Sequence, residues 1–315
     1  MARWGIAATI KAPTEDILRF CAHHLDLGAS RLLLYLDDAR ADQAAVLSAH
    51  PAIEVALCDA AYWEKRGRRP VKHQVRQTRN ATHAYRRKAR DLDWLIHMDV
   101  DEFLWPDDDI AAHLDALPAT TACARVRPAE ALSDGDGTAY KAFVPPGPDR
   151  HAIVARLYGD YGAHIKGGFL SHVAGKLFVR TGVADLSVRI HNVFLPDNRK
   201  PEETDLADVA LLHRHAHGWD DWIAAYRYRL EHGSYRSELG PAIPRDKGGI
   251  TLHDYFTRLE AEEGEAGLRR FYDTVCADTQ AHRAALEAEG LLRLHDLRLD
   301  EKRTRIFPDI PPQHD

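Results

Sequence analysis

Short apolar runs alternate with amphipathic stretches over roughly the first 110 residues of the chain. Residues 4–10, "WGIAATI", read as a buried strand. The next stretch places Ile17, Leu18, Cys21 and Leu25 at helical spacing. Thr14 is expected as its N-cap, with Glu15 and Asp16 in the first turn and Gly28 past its end. "RLLLYL" (31–36) is a second strand running into Asp37, "ADQAAVLSAH" a short helix and "IEVALC" (53–58) a third strand. A long helix is expected over 71–90, followed by "DWLIHM" (93–98) as a fourth strand. Strands that read as continuous apolar runs and alternate with helices predict a parallel sheet covered on both faces.

Beyond Pro118 the pattern changes. "TACARVRP" (121–128) reads as a strand, whereas "SDGDGTAYKAFVPPGPDR" is rich in Gly, Pro and Asp and reads as a loop. "HVAGKLFVRTG" and "LSVRIHNVFL" suggest a pair of strands separated by turn residues, and from 219 the periodicity is helical. The expected organisation is an α/β domain over 1–218, divided into halves 1–117 and 118–218, with a helical extension over 219–315.

Composition narrows the class without naming a function. The 315 residues are 45% hydrophobic and 29% charged, ordinary for a globular chain, and the formal net charge of -6 supplies no global field for nucleic acid. No apolar run approaches the roughly 20 residues of a membrane span, and the N-terminal apolar stretch is short for a signal peptide; a cytoplasmic location is the expectation. Cys21, Cys58, Cys123 and Cys276 are scattered without a C-x-x-C pair, so neither a zinc knuckle nor a disulfide framework is indicated.

The candidate chemistry lies in "DLDWLIHMDVDEFLWPDDD" (91–109), where a buried strand ends in Asp99, Asp101 and Glu102. Ligands of open α/β sheets bind beyond the carboxyl ends of the strands. Two carboxylates two residues apart in a turn can converge on one hard divalent cation, which takes oxygen ligands and leaves positions for water or phosphate.

"DWLIHMDVDEFL" resembles the aspartate motif of GT-A glycosyltransferases related to family 2, in particular the family 92-like group with W-x-x-x-x-D-x-D-E-F-L. His24, Gly28 and Asp37 match that group's H-x-x-x-G pattern and acidic strand end, and Gln77 and Asn80 match the helix before the motif. The usual Lys-Asn-Glu after the first strand is replaced by Lys11-Ala12-Pro13.

The resemblance implies a GT-A fold: a Rossmann-like, mostly parallel sheet with helices on both faces. It implies transfer of a sugar, with inversion, from a nucleotide-diphospho-sugar, with a UDP-sugar expected, to a hydroxyl of a glycan, lipid or protein. Asp99 and Asp101 would hold Mn²⁺ or Mg²⁺ and the diphosphate, with His191 and His213 as candidate further ligands. Lys11, Asp37, Gln77, Asn80 and Lys176 would contribute to the donor site, and Glu130 or Asp134 would be the base, while Glu102 would support the turn.

Two further features carry blander readings. The basic residues of 63–90 suit a solvated helix face better than a nucleic-acid surface, leaving an anionic donor or a peripheral membrane contact as their other use. Trp219, Trp222, Tyr226 and Tyr228 are spaced as the core side of an amphipathic helix rather than a stacking platform. A nucleotidyltransferase also uses D-x-D on such a sheet, but the glycine- and lysine-rich loop of sugar nucleotidyltransferases is missing near the N-terminus. The non-enzyme alternative is a catalytically weak sugar-nucleotide binding protein, suggested by the departure at Lys11-Ala12-Pro13.

Overall fold

The computed structural model describes residues 1–312, and they form an α/β structure. In chain order, the first part comprises β1 (Trp4–Ile10), α1 (Thr14–Asp26), β2 (Arg31–Leu36), α2 (Ala41–Leu47), β3 (Ile53–Leu57), α3 (Ala60–Glu64), α4 (His73–His83), β4 (Trp94–His97), β5 (Glu102–Pro106) and α5 (Ile110–Asp115). Then come β6 (Cys123–Ala131), β7 (Ala139–Ala142), α6 (Arg150–Tyr158), β8 (Lys176–Arg180), β9 (Ser187–Val188), β10 (Val193–Phe194) and β11 (Glu203–His213). The last part comprises α7 (Trp219–Glu231), α8 (Leu252–Val275), α9 (Gln280–Ala288), β12 (Leu292–Leu294) and α10 (Leu299–Ile306).

Two compact units are interleaved along the chain, in contrast to the successive domains expected. The first contains residues 1–127, 174–211 and the segment from 297 on; the second contains 128–173 and 212–296. The segment from 297 belongs to the first unit because α10 is anchored to α1. Arg303 Nε pairs with Glu15 at 2.7 Å, Arg19 Nε with Asp300 at 2.7 Å, and Lys302 Nζ donates to His23 Nδ1 at 3.1 Å.

The first unit carries strands in the order β6-β8-β4-β1-β2-β3, with β11 pairing with β5 and β6. β3, β2, β1 and β4 run parallel, as the alternation of apolar runs with helices predicts, and every residue of β1 and β4 is buried. β8 then pairs antiparallel with both β4 and β6, so the sheet is mixed rather than mostly parallel. An apolar run by itself reports burial on two faces and not strand direction, so β8 carried no sign of its antiparallel pairing.

Local chemistry explains several boundaries. α1 starts at Thr14 with Pro13 as its N-cap, so Thr14 is the first helical residue rather than the cap. The long helix expected over 71–90 ends as α4 at His83 and continues as a π-helical turn, Ala84–Lys88. There the buried Tyr85 hydroxyl donates to the Arg180 carbonyl at 2.8 Å. The segment read as a loop contains β7, whose lysine disguises it: Lys141 is buried and donates to the Gly168 and Val275 carbonyls at 2.8 and 2.7 Å.

In the second unit the end of β6 pairs with β7, and β7 with β12. Its core gathers Trp222, Tyr226, Tyr235, Phe256, Phe271 and Tyr272. The aromatic spacing in α7 is therefore core spacing, with Trp222 and Tyr226 at 0% exposure and Tyr228 at 58%. No helix among the described residues is long and apolar enough to cross a membrane.

Candidate active site

From β1 the chain moves outward to β2 and β3, then returns across β1 to β4. The reversal of direction lies between β1 and β4, and the crevice beyond the carboxyl ends of such a strand pair is where open α/β sheets take ligands. Lys11 follows β1 directly and is exposed; Met98 and Asp99 follow β4.

The acidic turn is built from its own residues. The Asp99 N–H donates to Glu102 Oε2 at 2.8 Å, while the Glu102 N–H donates to the Asp99 carbonyl at 3.2 Å, the reciprocal logic of a capping box. Behind the turn, α1 grips β5 through two histidines of opposite tautomer. His23 donates from Nε2 to the Leu104 carbonyl at 2.8 Å, and His24 Nε2 accepts the Leu104 N–H at 3.3 Å while its Nδ1 donates to the Phe20 carbonyl. His24 of the H-x-x-x-G pattern thus holds the leucine of the D-E-F-L segment.

Lys176, on β8 and 0% exposed, joins the two carboxylates. Its Nζ lies 2.6 Å from Asp99 Oδ2 and 3.0 Å from Glu102 Oε2. The Gln77 amide donates to Asp99 Oδ1. Burial by itself would raise the Asp99 carboxyl, but the charge of Lys176, with smaller contributions from His97 and His191, holds it well below the usual range. For Lys176 burial pulls downward, and Asp99 and Glu102 outweigh it, so the ammonium stays charged. The Asp99 side chain is still 31% exposed, so a ligand can reach it. Asp101, in the same turn, is half-buried.

Asp37, at the end of β2, is buried among cations. Arg76 approaches both oxygens, Nη2 to Oδ2 at 2.7 Å and Nε to Oδ1 at 2.9 Å, while Arg69 Nη2 lies 3.1 Å from Oδ1 and His73 Nδ1 3.4 Å from Oδ2. Burial raises this carboxyl too, but hydrogen bonds from His73 and Arg76 and the arginine charges bring it down to about 2. Part of the basic stretch 63–90 is therefore turned onto Asp37 rather than solvated. A buried carboxylate at a strand end requires nearby cations, and that was the one sequence signal for these partners.

Asn80 faces the interior at 0% exposure: its amide donates to Thr9 Oγ1 at 3.1 Å and its carbonyl accepts from the Tyr62 hydroxyl at 2.7 Å. His191 lies in the first unit and donates from Nδ1 to the Gly175 carbonyl at 2.9 Å. A carbonyl only accepts, so in the neutral ring the lone pair sits on Nε2, the tautomer arrangement common in metal-ligating histidines. His213, Glu130 and Asp134 belong to the second unit. The His213 ring stands edge-on to His215, with centroids 5.5 Å apart. Glu130 is buried, accepting from the Ser171 and Leu170 N–H groups at 2.6 and 3.3 Å and lying 3.5 Å from Lys141 Nζ. Asp134 is an exposed residue with φ 64; it accepts from the Tyr272 hydroxyl at 2.8 Å and the Trp219 N–H at 3.3 Å.

The structure thus brings Asp99, Glu102, Gln77 and Lys176 together, with His97 and His191 contributing to the same electrostatic environment. Among the described residues no group of three or more His, Cys, Asp or Glu side chains is arranged to hold a metal ion. The donor types still fit a hard divalent cation, because each carboxylate oxygen retains a second lone pair beside the bond it accepts.

His97 is buried, and among the described residues neither ring nitrogen has a hydrogen-bond partner. Burial, reinforced by Lys176, pushes it from 6.5 to about 3, and burial with Lys302 does the same to His23. The unfolded chain takes up these protons near the ordinary value while the folded chain refuses them. Stability from the neutral rings is complete above pH 6.5 and falls as pH drops from 6.5 toward 3. The urea midpoint should decline across that window, and His97→Leu should reduce the slope of stability against pH by up to about one proton. An unchanged slope would mean that His97 takes up its proton without unfolding.

No protein-family model matches the chain, and no curated protein matches it.

Proposed function

We propose that this protein is a metal-dependent glycosyltransferase of the GT-A type, transferring a sugar from a nucleotide-diphospho-sugar, a UDP-sugar in the first instance, to a hydroxyl acceptor with inversion. The observation that carries the reading is the placement of Asp99. It stands at the carboxyl end of a fully buried central strand, where the order of the strands reverses, ionised by Lys176, fixed by Gln77 and still accessible.

The residues divide the work as follows. Asp37 and its arginines flank the crevice from the end of β2, where the base or ribose of a donor would lie. Asp99 and Asp101, with His191 as a further ligand, would hold Mn²⁺ or Mg²⁺, which supplies charge neutralisation for a departing diphosphate. Lys176 gives the site a fixed positive charge, and the self-closed turn keeps Asp99 from swinging away. Transfer also requires a carboxylate to take the acceptor proton. Of the two carboxylates the sequence offers, Asp134 is exposed, whereas Glu130 is buried under two N–H donors and Lys141. The acceptor is a hydroxyl of a glycan, lipid or protein.

Calorimetric titration of UDP and GDP, with and without Mn²⁺, tests the donor site. UDP is expected to bind in the presence of Mn²⁺, and an Asp99→Ala, Asp101→Ala variant is expected to lose that binding. Absence of binding by either nucleotide under all conditions would overturn the reading. Release of sugar from a bound donor separates an enzyme from a binding protein, and pyrophosphate release from a nucleoside triphosphate would point instead to a nucleotidyltransferase.

A further inference from the structure

The second unit contains a cleft of about 810 Å³ between α8 and the 3₁₀ turn Gly159–His164. Its walls are aromatic. The His164 ring lies parallel to Tyr255, with centroids 4.0 Å apart and planes 18° from parallel, and Tyr161 meets Tyr255 edge-on at 6.4 Å. Burial lowers the affinity of His164 for a proton, so the ring is neutral at pH 7, and its buried Nδ1 has no hydrogen-bond partner among the described residues. Four charged side chains complete the lining: Glu263 pairs with Arg270, whereas the side chains of Asp160, Arg258 and Glu262 make no hydrogen bond or ion pair among the described residues. Gly264, at φ 62, breaks α8 immediately beyond Glu262 and Glu263, a left-handed conformation that suits glycine.

We infer that this cleft binds a neutral saccharide. Flat, uncharged ring faces match the C–H face of a pyranose, while unpartnered carboxylates accept from its hydroxyls and a guanidinium donates to them. With Glu263 paired to Arg270, Asp160 and Glu262 still outnumber Arg258, which disfavours phosphates and nucleotides. The mixture of aromatic wall and a few polar groups is the usual make-up of a small-molecule pocket. Identifying this saccharide with the acceptor rests on the glycosyltransferase reading; the binding itself does not.

The test is saturation-transfer NMR on the full chain with methyl α-glucoside, methyl α-mannoside, methyl β-galactoside and N-acetylglucosamine. At least one sugar is expected to receive magnetisation, and Tyr255→Ala and Glu262→Gln are each expected to weaken its binding by about threefold to tenfold. Glu262 is exposed, so Glu262→Gln reports on the cleft even if Tyr255→Ala disturbs folding. Failure of all four sugars to bind, or binding indifferent to both substitutions, overturns the inference. UDP titration of the same samples keeps the two readings apart. Sugar binding without UDP binding removes the donor site and leaves the cleft, whereas UDP binding without sugar binding does the reverse.

Discussion

Lys176→Met is expected to lower the unfolding free energy by about 3–5 kcal/mol, the range for removing one partner from a buried ionic group. Methionine fills most of the lysine's volume, so the loss is electrostatic rather than a cavity effect. Without the ammonium, Asp99 and Glu102 keep two carboxylates close together in a poorly hydrated place with no compensating charge. With the largest opposing charge gone, burial moves the Asp99 carboxyl upward, so part of the loss should be recovered as pH is lowered and a proton replaces the lysine. Urea unfolding at pH 7 and pH 5 measures both effects. A loss below about 1 kcal/mol, the range of exposed pairs, would show that solvent reaches the triad and that Lys176 does not hold the turn.

Asp101→Asn is expected to reduce sugar transfer or donor hydrolysis by about 10²–10³-fold, the range for removing one group that stabilises charge developing in a transition state. Its unfolding free energy should change by no more than about 0.5 kcal/mol. Asparagine keeps the size of a half-buried turn residue and removes the charge a divalent cation requires. Asp99→Asn should lower both activity and stability, because it also takes a partner from Lys176. Comparison of the two variants under steady-state turnover and urea unfolding therefore separates a role in chemistry from a role in holding the turn. Full activity in Asp101→Asn would remove this carboxylate from the reaction.

Some elements were legible because burial writes itself into composition. β1, β2 and β4 are runs of apolar side chains because both faces of these central strands are covered, and each was found within a residue or two of its expected limits. The core face of α7 was legible for the same reason, since Trp222 and Tyr226 recur at helical spacing. β7 was not, because a buried lysine satisfied by two carbonyls looks polar in sequence. β12 is three residues long, too short for any pattern to show.

The candidate site divides in the same way. Asp99, Asp101 and Glu102 were visible as acids ending an apolar strand, a local pattern that needs no knowledge of the fold. Their partners were not visible, because Gln77 is 22 positions away from Asp99 in sequence and Lys176 is 77 positions away. The inward turn of Arg69, His73 and Arg76 onto Asp37 was hidden among basic residues that looked uniformly solvated. Asn80 looked like Gln77 in sequence, yet one helical turn decides that its amide is buried against Thr9 while Gln77 reaches Asp99.

Sequence alone therefore established the alternation of strands and helices, the parallel centre of the sheet and the acidic turn at the end of its fourth strand, since each is a pattern among near neighbours. Tertiary packing settled the antiparallel β8 beside β4, the interleaving of the two units and the pairing of Lys176 with Asp99 and Glu102. These depend on which distant segments meet. A lysine expected only to contribute to the donor site becomes a buried, ionised partner of the acidic turn when the fold brings two carboxylates within 3.0 Å of it.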